Sequence, residues 1–342
     1  MKPNIVLGLS GGVDSAVAAC LLMEDYTVIG VYLSIGSEGA DGEADARRVA
    51  EELGIGFRSV DISEALEQHV KAPFAADYLS GRTPLPCARC NPLVKFPALL
   101  AVADEIGAEY VATGHYARVE SAGERALLKR GREANDQSYL LSRLPQNILQ
   151  RVIFRLGNYE KVSVRAMAAE FGIPVAEKPD SMEICFIPGD DYAGWLERRG
   201  ETPPPGDFVS TDGGVLGRHG GIHRYTLGQG RGLGVSGPRR YYVSAIDPAA
   251  NTVTLSDGSD LEKTEIFCAC PNWIAIDRLT APLEVAARFR HSKSEAPCTI
   301  RPMENGVLVE AHSPVRAPTP GQLAAFYEGD TVIGSAWIES AE

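Results

Sequence analysis

No stretch of this sequence approaches the roughly 18 to 20 uncharged apolar residues that a membrane helix needs. The longest apolar run, about Ala16 to Met23, is short and follows a polar loop, so no membrane association is expected. A strand pattern begins at Asn4 to Leu9, which leaves no room for a basic, cleavable leader or an Arg-rich transit segment, and a cytoplasmic location is expected. The cysteines number seven, an odd count that argues against a secreted disulfide scaffold and for free thiols, some of them chemical. The turn after the first strand carries neither the Gly-Lys-Ser/Thr of a Walker loop nor the Gly-x-Gly-x-x-Gly fingerprint of a dinucleotide fold, so neither a γ-phosphate transferase nor a dehydrogenase is indicated. Internal repeats and low-complexity tails are also missing. Positive charge is scarce: the formal net charge is −12, which disfavours nonspecific attraction to a polyanion. The scarcity is uneven, because acids crowd Glu38 to Glu67 while bases gather at Lys129 to Arg132, Arg198 and Arg199, Arg218 to Arg240, and Arg288 to Lys293.

What remains is a chain of 342 residues, 44% hydrophobic and 23% charged, long enough for two or three domains. Its first half alternates short β-branched runs with helical stretches: strands at Ile5 to Leu9, Val28 to Leu33, Phe57 to Asp61 and Tyr110 to Thr113, helices at Asp14 to Glu24, Glu43 to Leu53 and Pro97 to Ile106. That predicts an α/β fold with a doubly wound parallel sheet, whose ligands sit at the carboxyl ends of the strands. A helix at Ser163 to Phe171 leads into a loop, Lys178 to Pro188. From Thr202 to Gly237 the chain is rich in Pro and Gly, which predicts a small β-rich adapter without helices. From Tyr241 onward come short alternating runs, Tyr241 to Ile246, Thr252 to Leu255, Leu283 to Phe289, Gly306 to Glu310 and Thr331 to Trp337, which predict a C-terminal antiparallel β-barrel. The expected division is 1–190, 191–240 and 241–342.

Directly after the first strand stands Ser10-Gly11-Gly12-Val13-Asp14-Ser15. Adjacent glycines permit backbone geometry closed to other residues, and the helix behind them presents unpaired N–H groups to an anion. A plain helix cap by Asp14 or Ser15 is the alternative, but six specific residues at the first β-to-α junction favour a nucleotide phosphate. The candidate loop is Gly8, Leu9, Ser10, Gly11, Gly12, Val13, Asp14 and Ser15. It resembles the pyrophosphate loop of the ATP pyrophosphatase group, an adenine nucleotide α-hydrolase-like fold. That resemblance implies cleavage of ATP to AMP and pyrophosphate with Mg²⁺, and activation of a substrate oxygen as an adenylate.

The remaining motifs choose within that group. Thr83-Pro84-Leu85-Pro86-Cys87-Ala88-Arg89-Cys90-Asn91 with Lys95-Phe96, and Asp180-Ser181-Met182-Glu183-Ile184-Cys185-Phe186-Ile187-Pro188, resemble the two cysteine segments of the tRNA-specific 2-thiouridylase family. Ala112-Thr113-Gly114-His115-Tyr116, Asp136-Gln137-Ser138-Tyr139, Tyr225-Thr226-Leu227-Gly228-Gln229 and Thr319-Pro320-Gly321-Gln322 extend the likeness, in the family's order, over nearly the whole chain. The resemblance implies thiolation of a tRNA uridine, at the 2-carbon of wobble position 34. Cys185 is implied as persulfide carrier, Cys90 as its catalytic partner, and Leu33 and Gly114 as neighbours of the adenosine. Leu85, Pro86 and Cys87 are implied at the target base. His115, Asn135, Asp136, Gln137, Arg288, Phe289 and Gln322 are implied at the tRNA. The sulfur source is a donor protein, either a cysteine desulfurase or a relay protein, or else sulfide.

Two readings of the thiols stay open. Cys87 stands where some members of the family carry an aspartate, so Cys87, Cys90 and Cys185 together are a candidate ligand set for a [4Fe–4S] cluster. A zinc half-site at Cys87 and Cys90 lacks the further ligands needed. Cys20, Cys268, Cys270 and Cys298 are expected to be packing residues. The basic run at Arg288 to Lys293 is either a solvated strand edge or a phosphate-contacting face on which Phe289 stacks. Asn135 and Gly230 stand where the family pattern has basic residues. Two rival functions are an amidating ligase of the same group, which needs neither a cysteine pair nor an RNA-binding barrel, and a noncatalytic RNA-binding or sulfur-carrier protein, against which the intact loop argues.

Overall fold

The computed structural model describes residues 2–36, 40–132, 135–176, 178, 184–200, 202–237, 239–291 and 294–342. Seven strands belong to the first half: β1 (Asn4–Gly8), β2 (Thr27–Ser34), β3 (Gly56–Asp61), β4 (Tyr110–Thr113), β5 (Ala117–Ala122), β6 (Arg125–Arg130) and β7 (Val152–Phe154). Five of them form an all-parallel sheet in the order β3-β2-β1-β4-β7. A strand covered on both faces reads as a continuous apolar run, and Ile5, Val6 and Leu7 of β1 are all fully buried. Their alternation sorts them. Ile5, Leu7 and Ala112 pack with the helix Val13–Met23, whereas Val6, Val31 and Val111 pack with Phe96, Leu99 and Val102 of the helix Phe96–Glu105. The strand order reverses between β1 and β4, so the crevice expected of such sheets opens at their carboxyl ends. No helix among the described residues is long and apolar enough to cross a membrane.

The second sheet contains β8 (Gly206–Ser210), β9 (Val215–His219), β10 (Tyr242–Asp247) and β11 (Thr252–Ser256), in the order β10-β11-β8-β9. Here the structure departs from the sequence reading, which gave Tyr241 to Ile246 and Thr252 to Leu255 to the barrel. The reason is packing: Val243, Val253 and Leu255 are needed to complete a small core with Phe208, Ile222, Tyr225 and Leu233.

Six strands, β12 (Glu262–Trp273), β13 (Leu283–Arg288), β14 (Ala296–Met303), β15 (Gly306–Arg316), β16 (Leu323–Glu328) and β17 (Thr331–Ala341), form an antiparallel sheet that closes on itself through β12 and β17. The hairpin β5–β6, which the sequence reading missed, extends this third sheet by pairing with β17. In β16 the alternation serves two cores: Ala324 and Phe326 face the barrel interior, while Leu323, Ala325 and Tyr327 join the core of the parallel-sheet domain. The barrel is therefore packed onto that domain, not tethered beside it.

Candidate active site

The loop after β1 is held open by its own side chains. Ser15 Oγ accepts from the Ser10 amide at 3.1 Å and donates to the Gly12 carbonyl at 3.0 Å. Leu9 and Val13 point into the core, so what faces the crevice is backbone. Gly11 has φ +72°, and a Cβ there would lie 2.6 Å from the Gly42 carbonyl and 2.9 Å from the Ala46 amide, so only glycine fits. Across the switch point, a Cβ on Gly114 would lie 2.8 Å from the Ser15 amide, which explains the glycine after β4. Asp14 is held by Lys161, whose Nζ lies 2.6 and 2.7 Å from its two oxygens, and by the Tyr116 hydroxyl, which donates at 2.7 Å. Gln137 in turn fixes Tyr116, its side-chain Oε1 accepting from the Tyr116 backbone N–H at 2.9 Å and its backbone N–H donating to the Tyr116 carbonyl at 2.9 Å. Neither Lys161 nor Lys178 belongs to a motif picked out in the sequence. Both are found only because folding brings them to Asp14 and Gly11.

Cys87 and Cys90 lie on the helix Pro86–Cys90, which continues through a wider π turn, Asn91–Lys95, into Phe96–Glu105. Such turns concentrate at functional sites. Residues 180–183 of the second cysteine segment lie outside the described residues, but the part from Ile184 onward is anchored. Phe186 and Ile187 are fully buried, Phe186 edge-on to Phe74 at 5.5 Å and tilted against Trp195 at 5.3 Å, in a cluster that also holds Cys90 and Ile184. That docking brings Cys185 toward the other two thiols. Burial of its inner side pushes the Cys185 thiol up to about 11, and the charges of Cys90 and Cys87 push the same way, opposed by Lys95 and Lys71. Burial also raises Cys90, again opposed by Lys95. Tyr32 stands between this group and the phosphate loop: burial, then Glu43 and Cys185, push its hydroxyl up, and that hydroxyl lies against Gly42, which abuts Gly11. Leu33 packs between the thiol-bearing cluster and the main core.

All the cysteines are free thiols. Among the described residues no three His, Cys, Asp or Glu side chains are grouped as ligands of a single metal ion. Cys268 and Cys298 are buried and Cys20 half-buried, as packing residues should be; Cys270 instead is exposed, at a left-handed position with φ +49°. His115 shares a 2.6 Å hydrogen bond with Thr113 between Phe96 and Phe154. Burial, then Lys95, holds its pKa well below the usual value, so the imidazole is neutral at pH 7.

Three distant motifs meet at the amino end of the cysteine helix. The Gln322 amide donates to the Thr83 and Pro84 carbonyls at 3.0 and 3.3 Å, the Thr83 amide donates to the Pro320 carbonyl at 2.9 Å, and the Thr83 and Thr226 hydroxyls lie 3.2 Å apart. Parallel-sheet domain, adapter and barrel thus position Leu85, Pro86 and Cys87 jointly, with Pro86 buried and Cys87 exposed. Arg288 and Phe289 differ from both readings of their run. They are neither a solvated edge nor an open phosphate-binding face: each is 5% exposed. Arg288 binds Asp136 Oδ2 at 2.6 Å and Glu295 at 2.8 Å, because Asp136, accepting also from Gly131, Ser138 N and Ser138 Oγ, needs a buried counter-charge. Asn135 donates its amide to the Arg132 carbonyl at 3.0 Å, on the loop beside Asp136.

Known families match in the same three blocks. A model described as tRNA methyl transferase HUP domain matches residues 3–189, one described as tRNA methyl transferase PRC-barrel domain matches 194–257, and one described as aminomethyltransferase beta-barrel domain matches 263–338. Among curated proteins, a tRNA-specific 2-thiouridylase MnmA of Pelotomaculum thermopropionicum is 43% identical, covering 99% of this chain and 98% of its own. One from Heliobacterium modesticaldum is 44% identical over 99% of this chain and 93% of its own, and one from Syntrophotalea carbinolica 43% identical over 98% of both. With its phosphate loop, paired cysteine segments and three structural units aligned from end to end with these relatives, the chain belongs to the tRNA-specific 2-thiouridylase family.

Proposed function

We propose that this chain uses ATP to thiolate a uridine of tRNA, at the 2-carbon of position 34 as its kinship suggests. The observation that carries this reading is the docking of Phe186 and Ile187 into the aromatic cluster on which Cys90 packs, which brings Cys185, the neighbour of Phe186, toward the cysteine helix. An amidating ligase has no use for that pair. A carbonyl oxygen is a poor leaving group. Attack of the uridine oxygen on the α-phosphorus of ATP expels pyrophosphate and leaves the oxygen joined to AMP, which departs readily. Asp14, the carboxylate within the loop, would hold Mg²⁺, which when bound would neutralise charge on the phosphates.

Sulfur arrives on Cys185 as a persulfide, its outer sulfane sulfur transferred from the persulfide of a desulfurase or a relay protein, whose own cysteine leaves as a thiol. Cys90 attacks the Cys185 sulfur, a Cys90–Cys185 disulfide forms, and the released hydrosulfide adds to the activated carbon as AMP leaves. Alternatively the terminal persulfide sulfur attacks the carbon first, and Cys90 then frees the thiolated base by forming the same disulfide. Either order oxidises the pair by two electrons, and an external thiol reductant resets it.

The test is iron-free protein, ATP, tRNA and a persulfide donor, with 2-thiouridine measured in the digested tRNA. Cys90→Ala and Cys185→Ala are expected to abolish product, and Cys87→Ala to retain a substantial fraction. Equal dependence on all three thiols, together with about four irons per chain after anaerobic purification, would overturn the persulfide route in favour of a cluster. Absence of product under both conditions would overturn the reading itself.

A further inference from the structure

The phosphate loop has no lysine of its own, and two carboxylates stand beside it, Asp14 within it and Asp45 against Gly11. Alone they would repel a polyphosphate. Each is paired instead with a lysine from a distant part of the chain. Lys161 Nζ lies 2.6 and 2.7 Å from the Asp14 oxygens, and Lys178 Nζ lies 2.6 Å from Asp45 Oδ2 and 3.5 Å from the Gly11 carbonyl. Lys161 opens the helix Lys161–Glu170, which packs beside Val13–Met23, so its ammonium arrives next to the amino terminus that faces the anion. One lysine thus stands at each end of the loop.

We infer that Lys161 and Lys178 are ligands of the pyrophosphate portion of ATP, resting on Asp14 and Asp45 until the nucleotide enters. The inference deepens the nucleotide reading of this loop and rests on it. A lysine is a compact charge on a flexible stem, able to exchange a carboxylate for a phosphate oxygen a few ångströms away. When the uridine oxygen bonds to the α-phosphorus, the bond to the β-phosphate oxygen breaks and its electron pair leaves with pyrophosphate. Two ammonium groups aimed there stabilise the charge where it develops. The backbone N–H groups of the loop supply the rest of the cradle.

The experiment measures binding of inorganic pyrophosphate, ATP and AMP, each with Mg²⁺, to the full chain by calorimetry. It compares wild type with Lys161→Met, Lys161→Arg and Lys178→Met. The methionine variants are expected to lose roughly tenfold or more in affinity for pyrophosphate and ATP while AMP changes little, and the arginine variant to recover part of the loss. Lys178 is the more exposed of the two, at 37% against 18%, so its variant folds even where Lys161→Met weakens the domain. Unchanged pyrophosphate affinity in both methionine variants overturns the inference, as does an equal loss of AMP and pyrophosphate, which marks a structural ion pair. Wild-type protein that binds none of the three ligands overturns the nucleotide reading as a whole, an outcome distinct from failure of the lysines alone.

Discussion

Burial pushes the thiols of both Cys90 and Cys185 up, and Lys95 is the nearby cation that opposes it at each. A free cysteine ionises near pH 8.5, so Cys185 at about 11 binds its proton more tightly in the folded chain than in the unfolded one. The sign follows: this group's contribution to stability is complete below about pH 8.5 and is lost as pH rises through about 11. Iodoacetamide labelling of Cys185, followed by mass spectrometry, should therefore keep rising with pH beyond 9, without a plateau near 8.5. Lys95→Gln should move the labelling curve to still higher pH. A plateau near 8.5 would show that the thiol is not held as the structure has it. Loading a sulfur onto Cys185 replaces a reluctant thiol with a more acidic persulfide.

The second cysteine segment is placed by one element-scale contact, the insertion of Phe186 and Ile187 among Leu66, Val70, Phe74 and Trp195. Truncating a fully buried phenylalanine typically costs about 3–5 kcal/mol, here spread between undocking of the segment and loss of the helix Tyr192–Arg198 from the same cluster. Phe186→Ala should lower the thermal midpoint and slow formation of the Cys90–Cys185 disulfide under mild oxidation, measured by mass shift, with ATP affinity kept. Disulfide formation at the wild-type rate would mean that the segment finds Cys90 without this anchor. Elements of the parallel sheet were legible in the sequence because each carries a strong local signature: β1 is continuously apolar, Val13–Met23 is a run of good helix formers, and both were recovered to within a residue or two. The hairpin β5–β6 was not legible, since its outer residues are polar and its partner, β17, lies about two hundred positions away.

At the scale of the whole molecule, the site exists because three units close around Thr83. Gly321 has φ +91°, and a Cβ there would lie 2.8 Å from the Thr83 carbonyl. Gly321→Ala should push the Thr83–Leu85 stretch away from the barrel, lowering thiolation at least tenfold by the loss of a positioned loop while leaving ATP binding near wild type. Parallel loss of both activities would place the defect in folding. The buried Asp136–Arg288 pair belongs to the same closure, at the seam where β16 serves two cores.

The sequence by itself determined the chemistry that local pattern can carry: a glycine loop opening a helix, two cysteine segments, and alternation that switches from helical to strand period. Those features need only neighbours in the chain. Only the tertiary structure decided which thiol is buried, which lysine faces which carboxylate, that Arg288 and Phe289 turn inward, and that β10 and β11 complete the adapter's core instead of the barrel. Burial and pairing are properties of what packs around a residue, and those surroundings come from parts of the chain that no local pattern names.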